Sequence, residues 1–369
     1  MHKRLLLING IATLGAVLHH AITWALTAMI WWADRYRPVT VPSLDQLGSP
    51  NYWLLRVIDQ VSIFGVLAFL FISGFFVAFG TASTKGSIGW VTVAARIKHL
   101  AVPYLFWSFL IILARLLEGK RYKVADLFWL LLTGGISPPF YYVPLVATLY
   151  LLSPVLVPWA RDKWKLALAV TAGLQVLTLG LRYAFMLKIE LPGWNSFLPF
   201  VRNSNLLDLS FWFVWGVVTG FHLLEVKSFL VRKKGWLLAG LAVTFAMGLI
   251  EGEVLRQLTG RHWVSAQVIF SSRSFCFFLL SLLLFQDFTC PFERFLREIG
   301  SRSYGIYLAH MPVLEYSARS VYHLSPFILS FPVVLFLPAL VSLGLCIPLL
   351  LMAAINQSLG HRSYRYLFG

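Results

Sequence analysis

The chain has 369 residues, of which 59% are hydrophobic and 12% charged, where a soluble domain carries roughly 45 to 50% apolar residues. A soluble core of this size cannot hide so much apolar surface, so lipid is the expected solvent for much of the chain. In a soluble protein the net charge of +16 would point to nucleic acid; in a chain this apolar it points instead to cytoplasmic loops rich in Lys and Arg and to anionic headgroups, and nucleic acid is not an expected partner.

A spanning helix needs about 20 apolar residues at a rise of roughly 1.5 Å each. The N-terminal Met-His-Lys-Arg and the apolar run behind it imitate a secretion signal, but no small-residue cleavage site precedes a polar region, so residues 5–32 are read as a retained first span. Further spans are expected at 57–80, 99–117, 139–159, 166–186, 206–224, 235–255, 264–286, 303–322 and 328–355, ten in all. The segment 124–133 is apolar but too short to cross, and Gly134, Gly135, Pro138 and Pro139 interrupt it, so it reads as a half-helix or interfacial piece. No repeat or soluble domain is visible, and residues 1–369 read as one membrane-embedded domain.

Ten spans place both termini on one face. That face carries Lys3, Arg4, Lys85, Arg96, Lys98, Arg161, Lys163, Lys165, Lys227, Arg232, Lys233, Lys234, Arg294, Arg297, Arg302, Arg362 and Arg365, so it is expected to be cytoplasmic. The opposite loops also hold Arg115, Lys120, Arg121 and Lys123. Trp31, Trp32, Trp53, Trp90, Trp159, Trp164, Trp236 and Trp263 fall near the expected span ends, as an interfacial aromatic belt requires. The expectation is therefore an all-α, polytopic protein of the cell (inner or plasma) membrane. Cys276, Cys290 and Cys346 have neither disulfide nor metal spacing and read as packing residues; no metal is expected.

Hydrocarbon makes polar side chains expensive, so those inside spans are the places to look for chemistry. On the first span, residues eleven apart return to within about 20° on the helical wheel, roughly 16 Å along the axis. Asn9, Thr13, Ala16, His20, Thr23, Trp24 and Thr27 thus form one polar and small-residue stripe, while His19 looks out with Ile8, Ala12, Gly15 and Ile22. The pattern favours His20 over His19 as a working residue; the alternative is a histidine hydrogen-bonded across a helix interface. A neutral imidazole accepts a proton from a hydroxyl near neutral pH, which acyl transfer to an alcohol needs.

Ala95-Arg96-Ile97-Lys98-His99, just before the third expected span and followed by Pro103-Tyr104, puts two cations beside a helix start, either a phosphate site or ordinary flanking charge. Glu315 and Arg319 are four apart and can pair along their helix, a structural role. Arg273 lies well inside the eighth span beside Ser271, Ser272 and Ser274, with no partner in its own helix, and is expected to face a cavity, a headgroup or a bound anion. Asp59 and Asp208 lie near expected span ends, where hydration favours a structural role.

Five segments, in order along most of the chain, resemble the acyltransferase type 3 family of integral membrane enzymes. The run from Asn9-Gly10 to His19-His20 is similar to the family's first-helix signature, an Arg-Gly start with a histidine eleven residues after the arginine. Phe71-Ile72-Ser73-Gly74-Phe75-Phe76 resembles its second-helix segment, and Arg96 to Trp107, with Lys98 and Tyr104, its basic entry to the third helix. Tyr141-Tyr142-Val143-Pro144 through Pro154 resembles the fourth-helix region, and Ile299-Gly300 through Ser303-Tyr304, Tyr307 and His310 the late signature. The family arginine is Asn9 here, which still hydrogen-bonds but brings no charge to a phosphate.

The resemblance implies an acyltransferase with acyl coenzyme A as donor substrate, acetyl being the expected acyl group. It implies His20 as base or acyl carrier, with Asn9 a second catalytic residue in the position of the family arginine, and donor contacts at Arg96, Lys98, Ser73, Tyr104, Arg273 and His310. Membrane lipid and a glycan or lipid-linked acceptor are the implied partners, with a homo-oligomer left open. The outer loop 188–205, rich in Pro, Gly and Asn, is the candidate to receive the acceptor. The rival class is a secondary transporter of a small anionic or amphipathic solute, which also has many spans, broken helices and intramembrane charge. A third reading is a family-like protein that binds lipid or a partner without turnover.

Overall fold

The structure, a computed structural model, describes residues 2–39, 41–81, 88–189, 205–358 and 360–369, apart from the side chains of 361 and 362. Among the described residues there are fifteen α-helices and no β-strand. They are α1 (His2–Ile30), α2 (Pro50–Ser62), α3 (Phe64–Thr81), α4 (Trp90–Leu117), α5 (Val124–Thr133), α6 (Tyr142–Asp162), α7 (Trp164–Met186), α8 (Asn205–Phe221), α9 (Leu223–Arg232), α10 (Lys234–Thr259), α11 (Phe270–Phe285), α12 (Glu293–Ser301), α13 (Ser303–Leu324), α14 (Leu337–Ser358) and α15 (Gly360–Phe368).

Among the described residues seven helical stretches are long and apolar enough to cross a membrane: α1, α2 with α3, α4, Pro138–Asp162, α7, α10 and Pro332–Ser358. The α8–α9 pair makes an eighth if it is one span broken by a 104° bend. Two of the ten expected spans fall outside this set for different reasons. Helix α11 starts at Phe270 instead of near 264 and has only 16 residues, and α13, though 22 residues long, is too polar along its length.

The chain divides into two compact units. The first comprises Met1–Ala12, Ile63–Val93 and Thr148–Arg297, the second Thr13–Ser62, Ala94–Ala147 and Glu298–Gly369. In the first unit α3 and α8 cross with their backbones in contact. A β-carbon on Gly74 would lie 2.0 Å from the Phe213 carbonyl oxygen, and one on Gly216 would lie 1.9 Å from that of Phe71. Small residues permit such an approach in lipid, where dispersion replaces the hydrophobic effect as the force between helices. The Phe71–Phe76 segment is therefore, in local physical terms, a helix-crossing point.

In the second unit α5 ends at Gly134, whose φ of 76° is the left-handed cap that a glycine supplies without strain. The turn behind it is tight enough that a β-carbon there would meet Phe140 backbone at 2.5 Å. The half-helix expected at 124–133 thus exists. Tyr104 on α4 donates its hydroxyl to the Leu131 carbonyl of α5 at 2.6 Å, satisfying one of the carbonyls a helix end leaves orphaned. Tyr304 of α13 donates to the Leu100 carbonyl at 2.6 Å, and Trp107 Nε1 to the Leu367 carbonyl of α15 at 2.9 Å. The short helices α12 and α15 were not expected, because their length and polarity fall below any spanning pattern.

Candidate active site

Adjacent residues on a helix point about 100° apart, so His19 and His20 of α1 face different neighbours. His19 is buried (8% exposed) and its Nδ1 lies 2.7 Å from Oδ1 of Asp59 on α2, itself 1% exposed. A carboxylate oxygen accepts, so the Nδ1–H of His19 is the donor in this bond. The expectation of an outward, apolar-facing His19 is thereby corrected: Ile8, Ala12 and Ile22 on its face are buried too. This is a packing face, and it hides an ion-pairing group.

Asp59 needs the same correction. Hydropathy placed it near a span end, but α2 begins at Pro50, two and a half turns earlier, so the carboxylate is inside the helix and dry. Asp208 is likewise fully buried, not hydrated.

His20 is half-buried. Its ring centroid lies 5.2 Å from that of His19 and 5.3 Å from that of His310 on α13, so three imidazoles form a continuous set. His310 has no exposed surface. Its Nδ1 lies 2.7 Å from the Tyr307 carbonyl and 3.1 Å from that of Ile306. Carbonyls accept, so Nδ1 carries the hydrogen and donates, and Nε2 presents a lone pair. That Nε2 has no hydrogen-bond partner among the described residues, and a buried polar atom left so in a native fold calls for a reason. Around it stand aromatic rings: Tyr307 at 6.2 Å from His310, with Tyr142 and Phe140 against Tyr307 at 5.6 and 6.2 Å. The Tyr307 hydroxyl donates to the Pro139 carbonyl. In neutral form such a cluster can accept, hold and pass a proton between a hydroxyl and a leaving group; it offers no built metal site among the described residues.

The remaining residues expected at the site are dispersed. Asn9 lies on the stretch of α1 in the first unit and is half-buried. Ser73 is half-buried on α3, also in the first unit. Arg96 is half-buried and Lys98 exposed on α4, in the second unit. They stand inside that helix and not at its start, because α4 begins at Trp90; the unpaired amides of a helix N-terminus do not lie at Arg96. Tyr104 is buried, with its hydroxyl committed to Leu131.

Arg273, expected to face a cavity or anion, is instead paired. Its two terminal nitrogens bind both oxygens of Asp208 at 2.7 and 2.9 Å, and its Nε donates to the Gln267 carbonyl at 2.8 Å. Arg182 adds a second guanidinium, 2.9 Å from Asp208 and 2.8 Å from Asn205. The partner lay 65 residues away in another helix, beyond any local pattern. Glu315 and Arg319 do pair along α13, as their spacing predicts, and Glu118 joins them at 3.2 Å. The 188–205 loop lies, save for its ends, outside the described residues.

Asp59 is the site residue that sequence reasoning missed. A signal existed, since a carboxylate within an apolar run and two adjacent histidines on one span are the rarest groups in hydrocarbon.

No curated protein and no solved structure matches the chain. A family model described as an acyltransferase domain matches residues 5–353, a range that contains His19, His20, Asp59 and His310 together with all five segments noted above. The chain therefore belongs to the acyltransferase type 3 family and is a multi-pass membrane acyltransferase.

Proposed function

We propose that the protein moves an acyl group, acetyl in the simplest case, from coenzyme A to a hydroxyl of a glycan or lipid-linked acceptor of the cell envelope, with His20 at the reacting centre. The observation that carries this reading is the set of three imidazoles in which His20 is flanked by His19, held by Asp59, and by His310, whose Nε2 has no partner among the described residues. Membership of an acyltransferase family supplies the reaction class.

In the proposed chemistry the acceptor hydroxyl gives its proton to an imidazole nitrogen of His20 as its oxygen attacks the thioester carbonyl. The tetrahedral intermediate collapses, the carbon–sulfur bond breaks, and the coenzyme A thiolate takes the proton back from the imidazolium. A covalent acyl-imidazole on His20 is the alternative route to the same products. Asp59 orients His19, and the packed pair limits the positions open to the neighbouring ring. Arg96 and Lys98 are the proposed contacts for the donor's phosphates, and Asn9 supplies an uncharged amide where the family has a guanidinium. The protein would sit in the inner or plasma membrane with ten crossings and cytoplasmic termini. All ten expected regions contain a helix, α11 and α13 being the two added to the eight stretches above.

Purified protein in lipid, assayed for acetyl coenzyme A consumption beside His20→Ala, tests the reading. Loss of a general base lowers turnover by about 10²- to 10⁴-fold. Equal turnover would remove His20 from the chemistry.

A further inference from the structure

The first unit holds a pocket of its own. The start of α1, helix α9, the end of α11 and the start of α12 enclose a pocket of about 480 Å³ lined by Lys3, Arg4, Lys227, Asp287 and Glu293 over Leu7, Leu284 and Phe285. Its size falls in the roughly 300–1,000 Å³ range of small-ligand sites. Arg4 is already engaged, bonded to the Gln286 carbonyl and set over the Phe288 ring at 4.4 Å, and Glu293 pairs with Arg297 at 3.6 Å. Lys3, Lys227 and Asp287 form no hydrogen bond or ion pair with the described residues. Opposite charges thus line one cavity without closing on each other, over a floor of buried aliphatic and aromatic side chains.

The charge pattern selects the occupant. Coenzyme A carries several phosphates and no cation at its nucleotide end, so two carboxylates in the wall oppose it. The same carboxylates oppose phosphatidylglycerol or cardiolipin, which purely basic pockets attract. A molecule with one phosphate and one ammonium satisfies both signs at once. The helix termini agree: the positive end of α1 lies at His2 beside Lys3, and the negative end of α11 at Phe285 beside Asp287. The apolar floor suits the start of two acyl chains.

We propose that this pocket holds the headgroup of a phospholipid of the phosphatidylethanolamine class, its phosphate between Lys3 and Lys227 and its primary ammonium toward Asp287 and Glu293. Phosphatidylcholine is the informative comparison, since its quaternary ammonium has the charge but no N–H to donate.

The full chain, purified in detergent and offered an equal mixture of phosphatidylethanolamine, phosphatidylcholine and phosphatidylglycerol, is read by native mass spectrometry. Wild type retains phosphatidylethanolamine over each of the others by about three- to fivefold, the scale of one or two exposed charge contacts. Asp287→Asn with Glu293→Gln abolishes that preference, while Lys3→Gln with Lys227→Gln lowers retention of all three lipids. These side chains lie on the surface, and an unchanged melting temperature verifies that the variants fold. Equal retention of the three lipids by wild type, a preference for phosphatidylglycerol, or displacement of the bound lipid by coenzyme A would each overturn the proposal.

Discussion

Each unit buries a set of ionisable side chains inside its helices, and the two sets are finished to different degrees. In the first unit Asp208 receives both terminal nitrogens of Arg273 and one of Arg182, while Nε of Arg273 donates to the Gln267 carbonyl and the other terminal nitrogen of Arg182 to Asn205. In the second, Asp59 secures His19, but Nε2 of His310 has no partner and the His20 ring makes no hydrogen bond to the described residues. Buried charge alone is therefore a poor pointer to chemistry. A network closed on itself rigidifies a fold, whereas one with an open lone pair beside a half-exposed ring has capacity left for a substrate.

The strongest test of this contrast is Asp208→Ala. It leaves two guanidinium groups buried without their carboxylate, a change that costs about 3–5 kcal/mol out of a typical total of about 5–15. The variant should fail to accumulate, or melt far below wild type in lipid nanodiscs. A wild-type melt would mean the arginines find water or other partners and that the network is not closed.

Asp59→Asn is the counterpart in the second unit. The amide keeps the size of the carboxylate but no longer fixes one tautomer of His19, since its oxygen accepts from Nδ1–H while its NH2 donates to the other tautomer, and amide replacement of a histidine-orienting aspartate lowers turnover by up to about 10⁴-fold. We expect a turnover loss of at least about tenfold with the melting temperature close to wild type. Retained activity with a lowered melt would class the His19–Asp59 pair with the arginine cluster, as a structural tie.

Why one set was legible in the chain and the other was not follows from distance along it. Helices announce themselves through local apolar runs, so each of the ten expected stretches contains a helix, though among the described residues only seven, or eight with the bent pair, are long and apolar enough to cross; the half-helix at 124–133 with its Gly134 stop was visible for the same reason. Glu315 and Arg319, four apart, were equally local. His20 was legible because a stripe along one helix needs only periodicity, and His310 through its motif. Asp59 and Asp208 were misread because hydropathy marks where apolar residues begin, not where the helix does: α2 starts at Pro50 through a segment carrying Asn51 and Arg56. The partners His19 and Arg273 lie 40 and 65 residues away, and no periodicity reports a contact between helices.

Tyr104→Phe separates two roles for a residue near the basic segment. If the hydroxyl serves only the Leu131 carbonyl, its loss costs about 0.5–1.5 kcal/mol, seen as a lower melting temperature with KM for acetyl coenzyme A unchanged. A raised KM at constant melt would make Tyr104 a donor contact, and would extend the open character of the second unit from its histidines to α4.

The smallest effect belongs to Glu315→Gln. This carboxylate meets Arg319 one turn on, in a pair that is partly exposed, and exposed pairs contribute roughly 0.2–1 kcal/mol. Arg319 has a second carboxylate, Glu118, at 3.2 Å, so removing one leaves the guanidinium still neutralised and the loss falls at the low end of that range. The melting temperature should move by no more than a degree or two, and turnover should not move at all. Glu315 lies on the same helix as His310, only five residues along. A marked fall in turnover with an unchanged melt would therefore mean that the chemistry of the second unit extends further down α13 than the three imidazoles.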